Sequence, residues 1–412
     1  MRSTSLVRTV PVLAAVLATG MAIAQGPPPR AVAGTDPHTK GEPAAMAKLG
    51  YVSFGPFAFG TEHDTNDVED LLGSEPLAWI ETAHFRIGCA LSPVELHDES
   101  PSGEEWVRGV RSELKRLHRK LPQIDAGTRQ LDAWLRAHLI AQRLEDLYAE
   151  VSGNLGVEDR SFPVVAADDP SDPENYRGSG PFLGMRAKFR VLLLRHESSH
   201  ARYTRAFQGH EMPDPVRDHD AAFGSLYWGG SEDTADGLFR VDLALHTHLV
   251  FNVAHLLYSG YRDHGHDLPA WLSTGLGHWH ARRISPRFPT YERRQDGDRE
   301  PRSEYWRWSE RLPSLAKAGC FEPLPVFCVR ENAGEFRLEQ QIQSWGLVDW
   351  LLRDRKAATM RFVHLLKEPF HSRTRPPTTE ELRDRQWSAM RQAFGVDAAE
   401  LQRQWLRALQ KP

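Results

Sequence analysis

One stretch in the second half of the chain, residues 243–283, constrains the fold more than any other. Its first part, residues 243–258, is apolar on nearly every side of a helix, which predicts a buried helix rather than a surface one. A short polar turn follows, and Pro269 suits the start of a second helix that we expect to end near Arg283. Both predicted helices carry histidines, so imidazole groups are expected to lie close to the core.

The second predicted helix opens with Leu-Pro-Ala-Trp-Leu-Ser-Thr-Gly-Leu, residues 268–276. The helix pair resembles the active-site core of the gluzincin zinc metallopeptidases, in which a helix carrying HExxH is followed by one beginning W-L-x-E-G. In that family the glutamate of the second helix is the third zinc ligand. If His255 matches the second histidine of HExxH, the glutamate position falls nineteen residues later, at Thr274. The resemblance implies a peptidase-like domain, with zinc as its metal if the site is active.

The residues that would carry this chemistry are replaced. Phe251 stands where the first histidine ligand is expected, and Asn252 stands where the general base is expected. A catalytic zinc site needs three ligands drawn from His nitrogen, Cys sulfur or carboxylate oxygen, with an open position for water. Phenylalanine cannot ligate, asparagine cannot accept a proton, and the hydroxyl of Thr274 is a poor ligand. We therefore expect a degenerate site in which only His255 remains.

A literal HExxH occurs elsewhere, at residues 196–200. If the surrounding stretch formed one helix, His196 and His200 would share a face and could ligate zinc, with Glu197 as the base. No W-L-x-E-G sequence follows at the required distance, and the arginines around the motif favour an exposed helix. We interpret this motif as a chance match.

The histidine-rich centre offers another alternative. His248, Asn252 and His255 share one face of the first helix, and His278 lies one turn beyond Thr274. A substitute metal site formed by His248, His255 and His278 is one interpretation of these residues. Histidines that make hydrogen bonds in the core are the other interpretation, and we favour it.

The first 24 residues resemble a secretory signal peptide. Arg2 and Arg8 precede a mostly apolar run over residues 10–22, and small residues fit cleavage after Ala24. Residues 25–76 are predicted to be a linker, rich in Pro, Gly and Ala up to about Ala45, followed by an irregular lead-in. The formal net charge of −4 gives no electrostatic basis for nucleic-acid binding, and no later segment has the length of a membrane span. We expect a secreted or periplasmic protein.

The chain contains three cysteines, Cys89, Cys320 and Cys328. Export permits a disulfide, and Cys320 and Cys328 are near enough in sequence to close a short loop. Three buried thiols are the alternative, and the sequence leaves both interpretations open.

The predicted fold class is α+β. We expect a zincin-like metallopeptidase domain over residues 77–285, a loop excursion over residues 286–338 and a mainly helical C-terminal lobe over residues 339–412. Within the first domain, residues 79–88 alternate in polarity and are expected to form one strand.

Two functions are compatible with these features. The leading one is a catalytically inactive pseudopeptidase that binds a peptide or a cell-envelope polymer in its cleft, because a pocket can outlast the loss of its metal. The alternative is an active zinc-dependent hydrolase that uses His196, Glu197 and His200, or a rearranged histidine-rich site.

Overall fold

A computed structural model describes residues 35–73, 75–96, 101–163, 177–234, 237–288, 290, 307–370 and 375–410. The predicted signal peptide and residues 25–34 of the predicted linker lie outside these ranges.

The described residues form a mixed α+β fold. The strands are β1 (Ala78–Glu81), β2 (Phe85–Cys89), β3 (Val94–Glu95), β4 (Gln130–Leu131), β5 (Phe189–His196), β6 (Val216–Asp220) and β7 (Ser225–Asp233). The helices are α1 (Pro43–Leu49), α2 (Thr65–Leu72), α3 (Pro101–Lys120), α4 (Ala133–Leu155), α5 (Glu197–Phe207), α6 (Asp242–Gly260), α7 (Ala270–Ile284), α8 (Trp308–Lys317), α9 (Leu324–Phe327), α10 (Leu338–Leu366), α11 (Thr379–Phe394) and α12 (Ala398–Leu409).

Five strands form the central sheet in the order β1-β2-β5-β7-β6. The three inner strands run parallel, whereas β1 and β6 are antiparallel edge strands. The middle strand, β5, is buried along its first six residues, as its continuous apolar sequence requires of an inner parallel strand. Helices α4 and α6 pack on one face of the sheet, and α5 packs on the other. Among the described residues, β6 pairs with β7 alone, so its outer edge faces away from the sheet.

The predicted pair of central helices is present as α6 and α7. All nineteen residues of α6 are buried, in agreement with its all-round apolarity. Helix α7 begins directly after Pro269 and approaches α6 at Gly277, where a Cβ atom would lie 2.7 Å from the ring of His255. A residue with a side chain does not fit this crossing without movement of its neighbours. In the described part of the chain, no helix combines the length and the apolarity needed to cross a membrane.

Residues 79–88 form two strands, so the prediction of one strand is wrong. Strand β1 ends at Glu81 and β2 begins at Phe85, and the two pair in antiparallel register. The turn depends on Thr82, whose backbone N–H donates to the carbonyl of Phe85 and whose hydroxyl accepts from the Phe85 N–H. Polarity alternates in the same way along one strand or two, and periodicity alone could not locate the turn.

The chain is already folded inside the predicted linker. Asp36 is 1% exposed and hydrogen-bonds His138 of α4 at 3.2 Å. The other ring nitrogen of His138 hydrogen-bonds the hydroxyl of Tyr51 at 2.8 Å, and α1 lies between these two contacts along the chain. The linker prediction is therefore wrong from Asp36 to about Ala45, because composition does not reveal a buried partner on a distant helix.

The predicted loop excursion also contains regular structure. Helix α8 lies within it, anchored by Trp308, which is 1% exposed. The Trp308 ring packs edge-on against His278 at 4.8 Å and against Trp345 at 5.8 Å. The loop prediction is wrong for this part because the high charge of the region conceals one apolar helix face.

Helices α10 and α11 hold α7 from the side opposite α6. The indole N–H of the fully buried Trp271 donates to Gln386 on α11 at 2.9 Å. A Cβ atom at Gly275 would lie 2.5 Å from the side chain of Val348 on α10. The C-terminal helices thus fix the position of α7.

The three cysteines are free thiols; Cys89 and Cys328 are buried and Cys320 is exposed. The disulfide between Cys320 and Cys328, left open by the sequence, is not formed. Burial raises the pKa of the Cys89 thiol to about 11, so this group stays protonated at neutral pH.

Candidate functional site

A cavity of about 360 Å³ opens between the edge strand β6 and the two central helices. Strand β6 forms one wall, and the C-terminal half of α6 forms another. The start of α7 and residues 331–333 complete it. The lining residues are Arg217, Asp218, His219, Leu226, His255, Leu256, Ser259, His264, Asp267, Leu268, Ala270, Ser273, Glu331, Asn332 and Ala333.

The ring of Phe251 lies among three imidazole rings, and one of them, His255, lines this cavity. The centroid of the Phe251 ring is 6.4 Å from that of His248, 4.8 Å from that of His255 and 4.7 Å from that of His278. These are the three histidines considered above as a rearranged metal site. Among the described residues, no group of three His, Cys, Asp or Glu side chains is placed to hold a metal ion. An aromatic ring fills the space between the imidazoles.

Asn252 is held by two hydrogen bonds. Its side-chain N–H donates to the carbonyl of His248 at 3.0 Å, and its oxygen accepts from the guanidinium of Arg217 at 3.2 Å. The side chain is 2% exposed, and an amide cannot take a proton from water. Asn252 therefore connects α6 to the edge strand.

Thr274 is 2% exposed on α7, and its hydroxyl has no hydrogen-bond partner among the described residues. Gly277 and His278, about one turn further along α7, pack against Phe251 and His255. Burial, with the charge of Arg217 as a second cause, lowers the pKa of His255 well below its usual value, so its ring is neutral. The donors present here do not fit a three-ligand zinc site.

The HExxH sequence at residues 196–200 does not form one helical turn. His196 is the last residue of β5, whereas His200 lies inside α5. Half of the His196 side chain is exposed, 3.4 Å from Asp233. His200 is fully buried, and its ring nitrogens lie 3.3 Å from the carbonyl of Pro213 and 3.4 Å from the hydroxyl of Tyr227. Because the helix starts at Glu197, the two histidines lack the shared helix face that zinc binding by this motif needs.

Two residues of the cleft region, Arg217 and Lys367, were not singled out from the sequence. Arg217 and His219 lie on β6, a strand too short and too polar to be recognised from periodicity. The ring of His219 packs against that of His264 at 4.3 Å. Lys367 is buried next to the cleft and donates to the carbonyls of Ser259 and His266. Burial lowers the pKa of this lysine to about 8.

A second cavity, of about 370 Å³, adjoins the first. Asp267, Leu268, Ala270 and Glu331 line both cavities, so the two form one groove across the start of α7. The second cavity extends towards α11 and ends among apolar and arginine side chains. A groove of this shape suits an extended ligand better than a small compact one.

Comparison with known protein families, with curated proteins and with solved structures finds no match for this chain. Its function is therefore inferred from the site.

Proposed function

We propose that this protein is a pseudopeptidase: a gluzincin-like scaffold that binds an extended polypeptide in its cleft and does not hydrolyse it. The position of the Phe251 ring carries the proposal. It packs among His248, His255 and His278, where a metal would have to lie to be shared by these imidazoles. An open cavity persists on the other side of His255, which lines that cavity and packs against the Phe251 ring.

The edge strand supports the choice of a peptide as the ligand. Strand β6 borders the cavity, and its outer edge pairs with no other strand of the described residues. A peptide that lies along such an edge can form main-chain hydrogen bonds with it, while pockets beside the strand take alternate side chains. A cell-envelope polymer without backbone amides would lose these hydrogen bonds, and for this reason we favour a peptide.

The zincin-like fold is part of the same proposal. Its support is the order of elements around the cleft: a mainly parallel sheet, an antiparallel edge strand, a buried helix and a second helix that crosses it. The helical C-terminal segment that packs on α7 is consistent with the lobe that the resemblance implies. A secreted or periplasmic location belongs to the proposal as well.

Fluorescein-labelled casein, an unfolded polypeptide, is a suitable probe. We expect the purified protein to bind it, as seen by fluorescence anisotropy, and to leave it intact on gels with or without added zinc. Glu331→Trp places a bulky side chain in the groove and should weaken binding about tenfold or more, which corresponds to about 1.4 kcal/mol. Glu335→Trp, in the same segment but outside both cavities, should not weaken it.

Absence of binding, or equal binding by the two tryptophan variants, would refute the peptide-binding proposal. Zinc-dependent cleavage of casein would refute the pseudopeptidase proposal in favour of a working hydrolase. In that case, the zinc content of the variants His200→Ala and His255→Ala identifies the site: the substitution that abolishes zinc binding lies at the metal site.

A further inference from the structure

The two halves of the groove differ in the chemistry of their walls. Charged and polar side chains of β6, α6 and the turn before α7 make up most of the lining of the first cavity. The second cavity instead brings together apolar side chains from four separate segments of the chain. They are Leu268 before α7, Val329 after α9, Leu366 at the end of α10 and Leu382 on α11. Tertiary packing thus forms an apolar wall that no single stretch of the sequence contains.

Polar groups that line the second cavity bond to the protein itself. Gln386 is 2% exposed; its amide oxygen accepts from the indole of Trp271, and its amide N–H donates to the carbonyl of Cys328 at 3.0 Å. The ring of His266 hydrogen-bonds the carbonyl of Leu366 at 2.8 Å. Burial lowers the pKa of His266 to about 3, so this ring is uncharged at neutral pH. Neither side chain presents a charge to a ligand.

Two of the three arginines that line this cavity are engaged in a similar way. The guanidinium of Arg330 donates to both carboxylate oxygens of Glu322, at 2.7 and 2.8 Å. That of Arg385 donates to the carbonyls of Glu368 and Pro369. The other charged or hydroxyl-bearing lining residues are exposed, and they are Asp267, Glu331, Thr379 and Arg383. The second cavity therefore combines an apolar wall with a polar rim.

Val329 makes the apolar wall accessible from solvent. It is 37% exposed, and among the large hydrophobic residues exposed in the described part of the chain it alone lines the groove. Apolar surface beside a cavity is removed from water when a ligand covers it, which favours binding. A volume of about 370 Å³ has room for one large side chain such as that of phenylalanine.

We propose that the second cavity is the pocket for a bulky apolar side chain of the bound peptide. This inference rests on the proposed function. A peptide that pairs with β6 beside the first cavity continues into the second, because Leu268 and Ala270 line both. Its backbone then lies along the polar rim, and one apolar side chain contacts Val329 and Leu382. These two residues determine the preference for that side chain.

Three nine-residue peptides test this preference with the full-length protein. Their sequence alternates serine and glycine, both ends are blocked, and the central residue is phenylalanine, alanine or glutamate. A single variable residue allows the peptide to slide until that residue reaches the cavity. Binding is measured by titration calorimetry up to millimolar concentrations. We expect the phenylalanine peptide to bind roughly tenfold or more tightly than the alanine peptide, and the glutamate peptide to bind no better than the alanine peptide.

Val329→Asp and Leu382→Asp each place a charge on the apolar wall and should remove the advantage of the phenylalanine peptide. Val326→Asp is the matched control, because Val326 is an exposed valine on α9 that lies outside both cavities, and it should leave the advantage unchanged. Circular dichroism confirms that each variant is folded.

Equal binding of the three peptides, or no binding of any of them, would overturn the inference. So would an advantage of the phenylalanine peptide that survives either wall substitution in a folded protein, or one that Val326→Asp removes equally. Casein binding that persists in these cases leaves the proposed function standing.

Discussion

At the scale of single residues, the proposed gluzincin register makes the centre of this protein differ from a metal site by a few side chains. In that register, Phe251 contributes an apolar ring where a nitrogen donor would be needed, and Asn252 contributes an amide where a carboxylate would be needed. The imidazole of His255 remains, packed against the Phe251 ring. On this proposal, ligand type, more than the surrounding scaffold, is what the centre lacks.

Restoring the ligands should therefore restore metal binding. The triple variant Phe251→His, Asn252→Glu, Thr274→Glu is expected to gain zinc, measured by equilibrium dialysis and metal analysis. The loss of the buried phenylalanine should cost about 1–3 kcal/mol of stability before metal binding offsets it. The double variant Asn252→Glu, Thr274→Glu keeps Phe251 and is the control that should not gain zinc. A folded triple variant with no more zinc than the wild type would show that the helix register is wrong.

A second residue-scale prediction concerns His84, in the turn between β1 and β2. Its ring nitrogens lie 2.7 Å from Glu145 and 3.0 Å from Asp159. Burial opposes the charged form, but the hydrogen bonds and charges of the two carboxylates prevail and raise the pKa of His84 above 6.5. The folded state thus holds the proton more tightly than the unfolded chain. The resulting stabilisation is present below pH 6.5 and is lost as the pH rises through the raised pKa.

We therefore expect His84→Gln to destabilise the protein more at about pH 6 than at about pH 9, with a difference of about 1 kcal/mol. Urea unfolding of the wild type and the variant at both pH values measures this difference. Val52, an exposed residue that carries no titratable group, provides the control Val52→Ala, whose effect should not depend on pH. An equal effect of His84→Gln at both pH values would contradict the prediction.

At the scale of elements, the contact between α6 and α7 determines the shape of the centre. The helices approach closely because Gly277 has no side chain, and its backbone lies against the rings of His255 and Phe251. Gly275 gives the opposite face of α7 the same closeness to α10. The two glycines allow α7 to fit between a buried helix and the C-terminal helices.

Gly277→Ala should destabilise the protein by about 1–3 kcal/mol, because its Cβ would lie 2.7 Å from the His255 ring. Gly109→Ala is the matched control: it lies in the exposed interior of α3, with nothing within 4 Å of the added atom. That substitution should stabilise the protein by about 0.5–1 kcal/mol, since alanine is the better helix former. Urea unfolding measures the change in the free energy of unfolding for both variants. If Gly277→Ala left the free energy of unfolding unchanged, α6 and α7 could move apart without loss of stability.

At the scale of the whole molecule, the N-terminal segment is part of the folded core. The buried hydrogen bonds of Asp36 and Tyr51 to His138 attach this segment to α4, which packs on the sheet. Helix α4 also packs against α6, so the N-terminal segment is linked indirectly to α6.

Asp36→Ala should therefore lower the free energy of unfolding by about 1–3 kcal/mol, because it leaves a buried ring nitrogen of His138 without its partner. Lys48→Ala, on the exposed side of α1, should change it by less than about 0.5 kcal/mol. Thermal and urea unfolding followed by circular dichroism measure the two variants. If both changes are small, the segment is attached by its apolar contacts alone.

The sequence determined the features that depend on local pattern. The all-round apolarity of α6 and the proline before α7 predicted two buried helices that the structure contains. The replacement of ligand types at Phe251 and Asn252 was also readable, because ligand chemistry is a property of the side chain itself. The gluzincin resemblance that gives these positions their meaning stays a prediction.

Tertiary structure alone decided which groups meet. The partner of Asn252 is Arg217, which comes 35 residues earlier on a strand that periodicity does not reveal. The HExxH sequence at residues 196–200 looked continuous, yet a strand ends within it and its histidines have different surroundings. Such contacts follow from the packing of elements distant in the chain, where burial and close approach override local preference. A motif specifies which donors are present, and the fold determines whether they converge.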